Sequence, residues 1–212
     1  MIKAFIFDMD GVLIDSESLY DNAWIFAAKE FSIDKKLILE VRKKVLGLNK
    51  NDTIKKIESL LSFDEAKKFY EMTDYYADKL SIKAKPYAKE ILTYLKDKKI
   101  RLCLATSNTR AFSEKVLKQN DLWNFFEDKY FVFSEDVKEA KPSPEIYLRA
   151  QEKLNLNSEE CIAVEDSPNG IKSAISANLK CIFIPDRIQA NEEIYKQSYK
   201  IYPNLLSLKE LI

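Results

Sequence analysis

The chain has 212 residues, 46% of them hydrophobic and 12% aromatic, with 34 Lys+Arg balanced by 34 Asp+Glu and no histidine. That length and apolar content suit one globular domain plus an insertion, and the balanced charge offers no basic excess to draw the chain onto nucleic acid or an anionic lipid surface. Without histidine there is no Ser-His-Asp or Cys-His nucleophile pair and no HExxH zinc site, so proton transfer falls to carboxylates, lysine or tyrosine.

The first predicted element is a strand over residues 3–8, apolar enough to be buried on both faces, which delivers Asp8, Asp10 and Gly11 where the chain leaves the sheet. Two carboxylates this close repel unless a cation neutralises them, and a hard divalent ion such as Mg²⁺ takes oxygen ligands of this kind. Alone, an Asp-x-Asp-Gly tetrapeptide is more often a turn than a catalyst, so the functional reading depends on its company. Residues 16–82 then carry apolar positions at helical spacing over 16–33, 36–46, 51–61 and 64–80, with no strand among them. This reads as a helical insertion directly after the first strand, its return passing through Ile82 to Pro86.

Beyond it, strands are predicted over 100–106, 130–134, 161–165 and 180–184, alternating with helical patterns near 86–98, 111–120, 144–155 and 170–177. Strands and helices in alternation make a doubly wound α/β core with a parallel sheet. The second strand ends in Thr106-Ser107-Asn108, small polar residues whose exposed amides suit an oxyanion. Lys141 stands before Pro142-Ser143-Pro144, where Ser143 and Pro144 read as an N-cap and first helical residue, leaving the lysine on a rigid loop as a point charge for phosphate. The fourth strand ends in Glu165-Asp166, which repeats the acidic chemistry of the first. Acids, hydroxyls, a lysine and acids again, each at a strand end, make up the parts of a phosphoryl-transfer site. The three cysteines, Cys103, Cys161 and Cys181, lie in apolar runs without metal-ligand spacing and read as buried thiols. The tail from Tyr199 reads as a short extended piece and a capping helix.

With DxDGVLxDS, the Thr/Ser run, KPSPEIY and EDSPNG in this order between Ile2 and about Pro185, the chain resembles the haloacid dehalogenase superfamily, in the subgroup of β-phosphoglucomutase and the sugar-phosphate phosphatases. The resemblance implies a sheet order of 5-4-1-2-3, a core of residues 1–15 and 83–212, and a helical cap of residues 16–82 that opens and closes over the site. It implies Asp8 as the nucleophile forming an aspartyl-phosphate and Asp10 as general acid/base, its carbonyl on Mg²⁺. Thr106, Ser107, Asn108 and Lys141 would hold phosphoryl oxygens, and Asp166 with Glu165 would complete the metal shell. Two glycines common in these relatives are replaced, by Tyr87 after Pro86 and by Asn178 after Ala177. In the cap, Tyr20 stands where the mutase carries a histidine and Lys50 stands near an arginine that grips a second phosphate; specificity is expected from the stretch Gly47 to Asp52.

The reading is therefore a Mg²⁺-dependent phosphatase of small phosphorylated metabolites, sugar phosphates foremost, with a sugar-phosphate mutase as the alternative. Dehalogenases of this superfamily lack the second aspartate represented here by Asp10, and response-regulator receivers carry no helical insertion. No apolar stretch is long enough to span a bilayer and Met1-Ile2-Lys3 leads straight into the first strand, so a cytoplasmic protein without membrane or nucleic-acid partners is expected. The oligomeric state stays open, a monomer included.

Overall fold

The computed structural model describes residues 1–45 and 50–212, so Leu46 and Gly47, at the end of one predicted helix and the start of the expected specificity stretch, lie outside the described residues. The chain forms two compact units, one of Met1–Asp15 with Lys83–Ile212 and one of Ser16–Ile82.

In the first unit β1 (Ala4–Phe7) is followed by β2 (Ile14–Asp15), and after the helical unit the chain returns as β3 (Lys83–Ala84). Ile14 pairs with Ala84 and Asp15 with Lys83, an antiparallel two-residue ribbon where the chain leaves this unit and re-enters it.

The helical unit contains α1 (Ser16–Glu30), α2 (Lys35–Lys44), α3 (Lys50–Ile57) and α4 (Phe63–Lys79). Its own core is built from Trp24, Ala27 and Ala28 of α1, Ile38 and Val41 of α2, Ile54 and Ile57 of α3, and Ala66 and Phe69 of α4. Trp24 meets Phe69 edge-on with ring centroids 5.3 Å apart. The Asp34 carboxylate accepts from the Lys36 and Leu37 amides, fixing where α2 begins.

The core chain continues through α5 (Ala88–Asp97), β4 (Arg101–Ala105), α6 (Arg110–Gln119), β5 (Phe131–Val132), α7 (Glu145–Leu154), β6 (Cys161–Glu165), α8 (Pro168–Ser176), β7 (Lys180–Phe183), α9 (Glu192–Gln197) and β8 (Lys200–Ile201). The sheet order is β5-β4-β1-β6-β7-β8 with every pair parallel, so the five expected strands stand in the expected order and a sixth extends the edge. β1 is central, between β4 and β6, and its four residues are fully buried, which explains the unbroken apolar run. Helix α7 packs on β4 through Ile146, Tyr147, Ala150 and Leu154, and α8 adds Ile171 and Ala174. All three cysteines are buried and unpaired.

Three local differences from the sequence reading have physical reasons. Helix α7 begins at Glu145, with the Pro144 carbonyl accepting from the Tyr147 and Leu148 amides, so Pro144 is the cap and not the first helical residue. Helix α9 was not expected; its Asn191 side chain caps the Ile194 amide, and six residues show too little periodicity to stand out. The C-terminal helix, Leu205–Leu211, is a 3₁₀ helix.

Tyr87 and Asn178, at the two positions where the family resemblance leads one to expect glycine, both adopt left-handed backbone, with φ of 67° and 60°. The left-handed region costs a non-glycine residue about 1–2 kcal/mol, less for asparagine, whereas glycine pays mainly in the unfolded chain. Tyr87 is half exposed and has little packing to lose. We expect Tyr87→Gly to raise stability by roughly 0.5–1 kcal/mol in urea unfolding, with Tyr87→Ala close to neutral. A Tyr87→Gly protein less stable than the wild type would show that the ring's contacts outweigh the strain.

Candidate active site

The C-terminal ends of β1, β4 and β6 lie side by side, and the residues that follow them turn inward to one place, as expected for an open parallel sheet. Asp8 follows β1 directly, its amide donating to the Val164 carbonyl of β6 at 3.0 Å. The next residues wind into a tight loop in which Leu13 and Ile14 donate to the Met9 carbonyl and Gly11 donates to Ile14. Gly11 has φ of 72°, and a Cβ there would lie 2.0 Å from Asp166 Oδ2, so only glycine lets the loop after β1 approach the acid after β6.

Lys141 enters from the loop before α7. Glu145 anchors this loop by accepting from the Lys138 and Glu139 amides at 2.8 and 3.1 Å. The Lys141 ammonium donates to Asp8 Oδ1 at 2.5 Å, Glu165 Oε1 at 2.7 Å and the Ala105 carbonyl at 3.1 Å, which engages all three of its protons. Burial works against this charge, but Asp8 and Glu165 outweigh it and hold the ammonium well above its ordinary pKa.

Glu165 is wholly buried. Its Oε1 also accepts from the Tyr147 hydroxyl at 2.6 Å, and its Oε2 accepts from the Asp166 amide and the Ser167 hydroxyl, both at 3.3 Å. Gly170, in the first turn of α8, makes room for it: a Cβ there would lie 1.9 Å from the carboxyl carbon.

Asp8, Glu165 and Asp166 each bring a carboxylate oxygen to within 4.8 Å of the others. Burial, then the repulsion of Glu165 and Asp10, pushes Asp8 up to about 7 against the pull of Lys141. Burial, then Asp8 and Glu165, pushes Asp166 up to about 9. Three converging all-oxygen donors whose charges are disfavoured together are what a hard divalent cation relieves, so these residues fit a metal ion. A stability consequence follows. Both folded pKa values exceed the unfolded carboxylate value near 3.9, so as pH rises from about 4 the unfolded chain gives up these protons first, and the contribution of these two groups to stability declines up to about pH 9. In chelator we expect the melting temperature to decline across that range, and excess Mg²⁺ to reverse the decline. A flat profile in chelator would show that the two carboxylates are not held protonated by the fold, and a profile that Mg²⁺ leaves untouched would refute a metal-binding acidic cluster.

The Asp10 carboxylate points elsewhere, to the Asn108 side-chain amide. Asn108 is held by Thr106, whose buried hydroxyl accepts from both the backbone and side-chain nitrogens of Asn108 at 3.2 Å. Ser107 is exposed at the same turn. The structure thus brings Asp8, Asp10, Thr106, Ser107, Asn108, Lys141, Glu165 and Asp166 to one sheet edge. Tyr20 and Lys50 belong to the helical unit, where the Arg42 guanidinium stands 5.9 Å from the Tyr20 ring and the Lys50 ammonium 5.3 Å from the Tyr70 ring. Sequence reasoning missed the Tyr147 hydroxyl, because a tyrosine on the apolar face of a helix reads as core. It also missed Lys85 and Asp186, which pair at 2.6 Å with Asp186 Oδ2 buried and unpartnered.

Residues 5–184 match the model of the haloacid dehalogenase-like hydrolase family, and the chain belongs to that family. It is 32% identical over 187 residues to the phosphorylated carbohydrates phosphatase of Thermotoga maritima, covering 86% of this chain and 84% of that protein. It is 30% identical over 190 residues to a pseudouridine-5'-phosphatase assignment in Drosophila melanogaster, covering 85% and 80%. A Thermotoga maritima crystal structure provisionally described as a β-phosphoglucomutase aligns over the whole of both chains with a TM-score of 0.79 at 30% identity. Among the described residues no helix is long and apolar enough to cross a membrane.

Proposed function

We propose that the chain is a Mg²⁺-dependent phosphatase of small phosphorylated metabolites, sugar phosphates foremost, acting through an aspartyl-phosphate on Asp8. Its coarser part, a phosphoric monoester hydrolase, follows from the family and from the phosphatase relatives. The observation that carries the rest is Asp8 itself: a buried carboxylate at the sheet edge, flanked by a fully engaged lysine on one side and two further acids on the other.

In this reading an Asp8 oxygen attacks phosphorus as the bond to the leaving alcohol breaks, and Asp10, oriented by Asn108, protonates the departing oxygen. Asp10 then takes a proton from water, whose oxygen attacks phosphorus and releases inorganic phosphate and the Asp8 carboxylate. Lys141 and the turn of Thr106, Ser107 and Asn108 hold the phosphoryl oxygens. Asp8 and Asp166, with Glu165 beside them and the Asp10 carbonyl, would hold Mg²⁺, which supplies charge neutralisation at the transferring group. Substrate selection falls to the helical unit, with Tyr20 and Lys50 as its candidate residues. A phosphate-release screen over phosphorylated sugars, nucleosides and polyols, with Mg²⁺ and with chelator, tests it; activity undiminished by chelation would remove the metal.

The mutase reading draws on the likeness to the structure described as a β-phosphoglucomutase. A mutase must keep water from its aspartyl-phosphate and grip a second phosphate. This chain has no histidine, carries Tyr20 at the corresponding position and offers Lys50, a point charge without the bidentate fork of arginine. Supplied with β-glucose 1-phosphate and a trace of glucose 1,6-bisphosphate, the protein should release phosphate in preference to forming glucose 6-phosphate. Rapid isomerisation with negligible phosphate release would promote the mutase.

A further inference from the structure

Tyr147 is the one wholly buried tyrosine of the core unit, and its phenol is spent on the active site. It lies on the inner face of α7, six residues after Lys141, with the Lys141 ammonium 5.2 Å from its ring centroid. The hydroxyl donates to Glu165 Oε1 at 2.6 Å, the same oxygen that accepts from Lys141 at 2.7 Å. Lys141 in turn donates to Asp8 at 2.5 Å. Tyr147, Glu165, Lys141 and Asp8 therefore form an unbroken chain of charge-assisted hydrogen bonds.

We propose that Tyr147 is a positioning residue for the reaction at Asp8: its hydroxyl locks Glu165, and Glu165 holds the Lys141 ammonium where it serves both Asp8 and an incoming phosphoryl group. This deepens the phosphatase reading and rests on it. All three protons of Lys141 already have acceptors, so a phosphoryl oxygen can be taken up only as one of them is given up. The contact with Glu165 is the one that stays useful throughout, because the Asp8 carboxylate becomes an acyl phosphate and loses its charge. For Glu165 to remain in place during that exchange it needs partners other than Lys141. The Asp166 amide and Ser167 hydroxyl bonds at 3.3 Å are long, and the 2.6 Å phenol bond is the strong one. With the phenol and Lys141 both on Oε1, the carboxylate is also kept from swinging wholly toward the acidic cluster.

Tyr147→Phe removes the hydroxyl and keeps the ring, so core packing is retained. In steady-state hydrolysis of the best screened substrate, kcat should fall about tenfold, the low end of what a hydrogen bond to a charged group supplies, with KM changed less. The same substitution placed in Lys141→Ala should change the residual rate less than about twofold, because the group it positions is gone. A purely structural role would lower both backgrounds alike. Circular dichroism and melting of each variant check the fold, and Tyr147→Leu, which also removes the ring, should add a loss of stability that Tyr147→Phe does not show. A Tyr147→Phe enzyme as fast as the wild type, or an equal loss in both backgrounds, overturns the inference alone. An inactive wild type, or an Asp8→Asn protein as fast as the wild type, overturns the reading of the site and the inference with it.

Discussion

Asp8→Asn is expected to abolish turnover while leaving a folded protein. The amide is nearly isosteric, its oxygen can still accept from Lys141, and it replaces a carboxylate that burial and neighbouring acids already push up to about 7. At pH 8 the wild-type fold carries a disfavoured charge there, so the neutral variant should melt no lower than the wild type. What it cannot do is form an acyl phosphate. A fall in kcat of at least about 10³, equivalent to a barrier rise of roughly 4 kcal/mol, is expected, and retention of more than about a thousandth of the wild-type rate would argue strongly against Asp8 as the nucleophile.

Gly11→Ala is expected to cost a large part of the activity although it removes no functional group. The added carbon would sit 2.0 Å from Asp166 Oδ2 at a backbone φ of 72° that alanine resists. Either the loop after β1 or the Asp166 carboxylate must move by an ångström or more. Displacement of that size from the reacting geometry costs on the order of 10² in rate. Because Asp166 belongs to the acidic cluster, the Mg²⁺ concentration for half-maximal activity should rise as well. The two effects separate this variant from simple destabilisation, which would lower the melting temperature without shifting the Mg²⁺ titration. Wild-type rate and Mg²⁺ dependence in Gly11→Ala would show that the loop has slack the close contact denies.

Much of the core was legible because parallel strands buried on both faces leave continuous apolar runs, and because the polar residues ending those runs are conspicuous against them. Asp8, Thr106 and Glu165 are each the first polar residue after such a run. The order of the strands came from the family resemblance and not from any periodicity. The Tyr147 hydroxyl bond was not legible, since it depends on Glu165 lying across the sheet edge from α7. The Lys85–Asp186 pair joins residues 101 positions apart, a separation at which local pattern carries no information. The left-handed residues Tyr87 and Asn178 stand at the two positions where the family resemblance leads one to expect glycine; nothing in the type of residue marks Tyr87 as a turn former.

The paired dipeptides Ile14–Asp15 and Lys83–Ala84 have a consequence for how the chain finds its fold. β1 must pair with β4, Ala4 opposite Arg101, and much of the intervening chain is the helical unit. A flexible loop of that length carries a closure entropy that must be met before the central pairing forms. The helical unit has its own apolar core, of Trp24, Ile38, Ile57 and Phe69 among others, within a continuous segment, so it can collapse without waiting for the sheet. Once it has done so, its two ends emerge as neighbours, and the long excursion counts kinetically as little more than a tight turn. The ribbon thereby separates the search for the parallel sheet from the length of what is inserted into it, and the same arithmetic lets that insertion be exchanged for another whose ends meet at the same spacing.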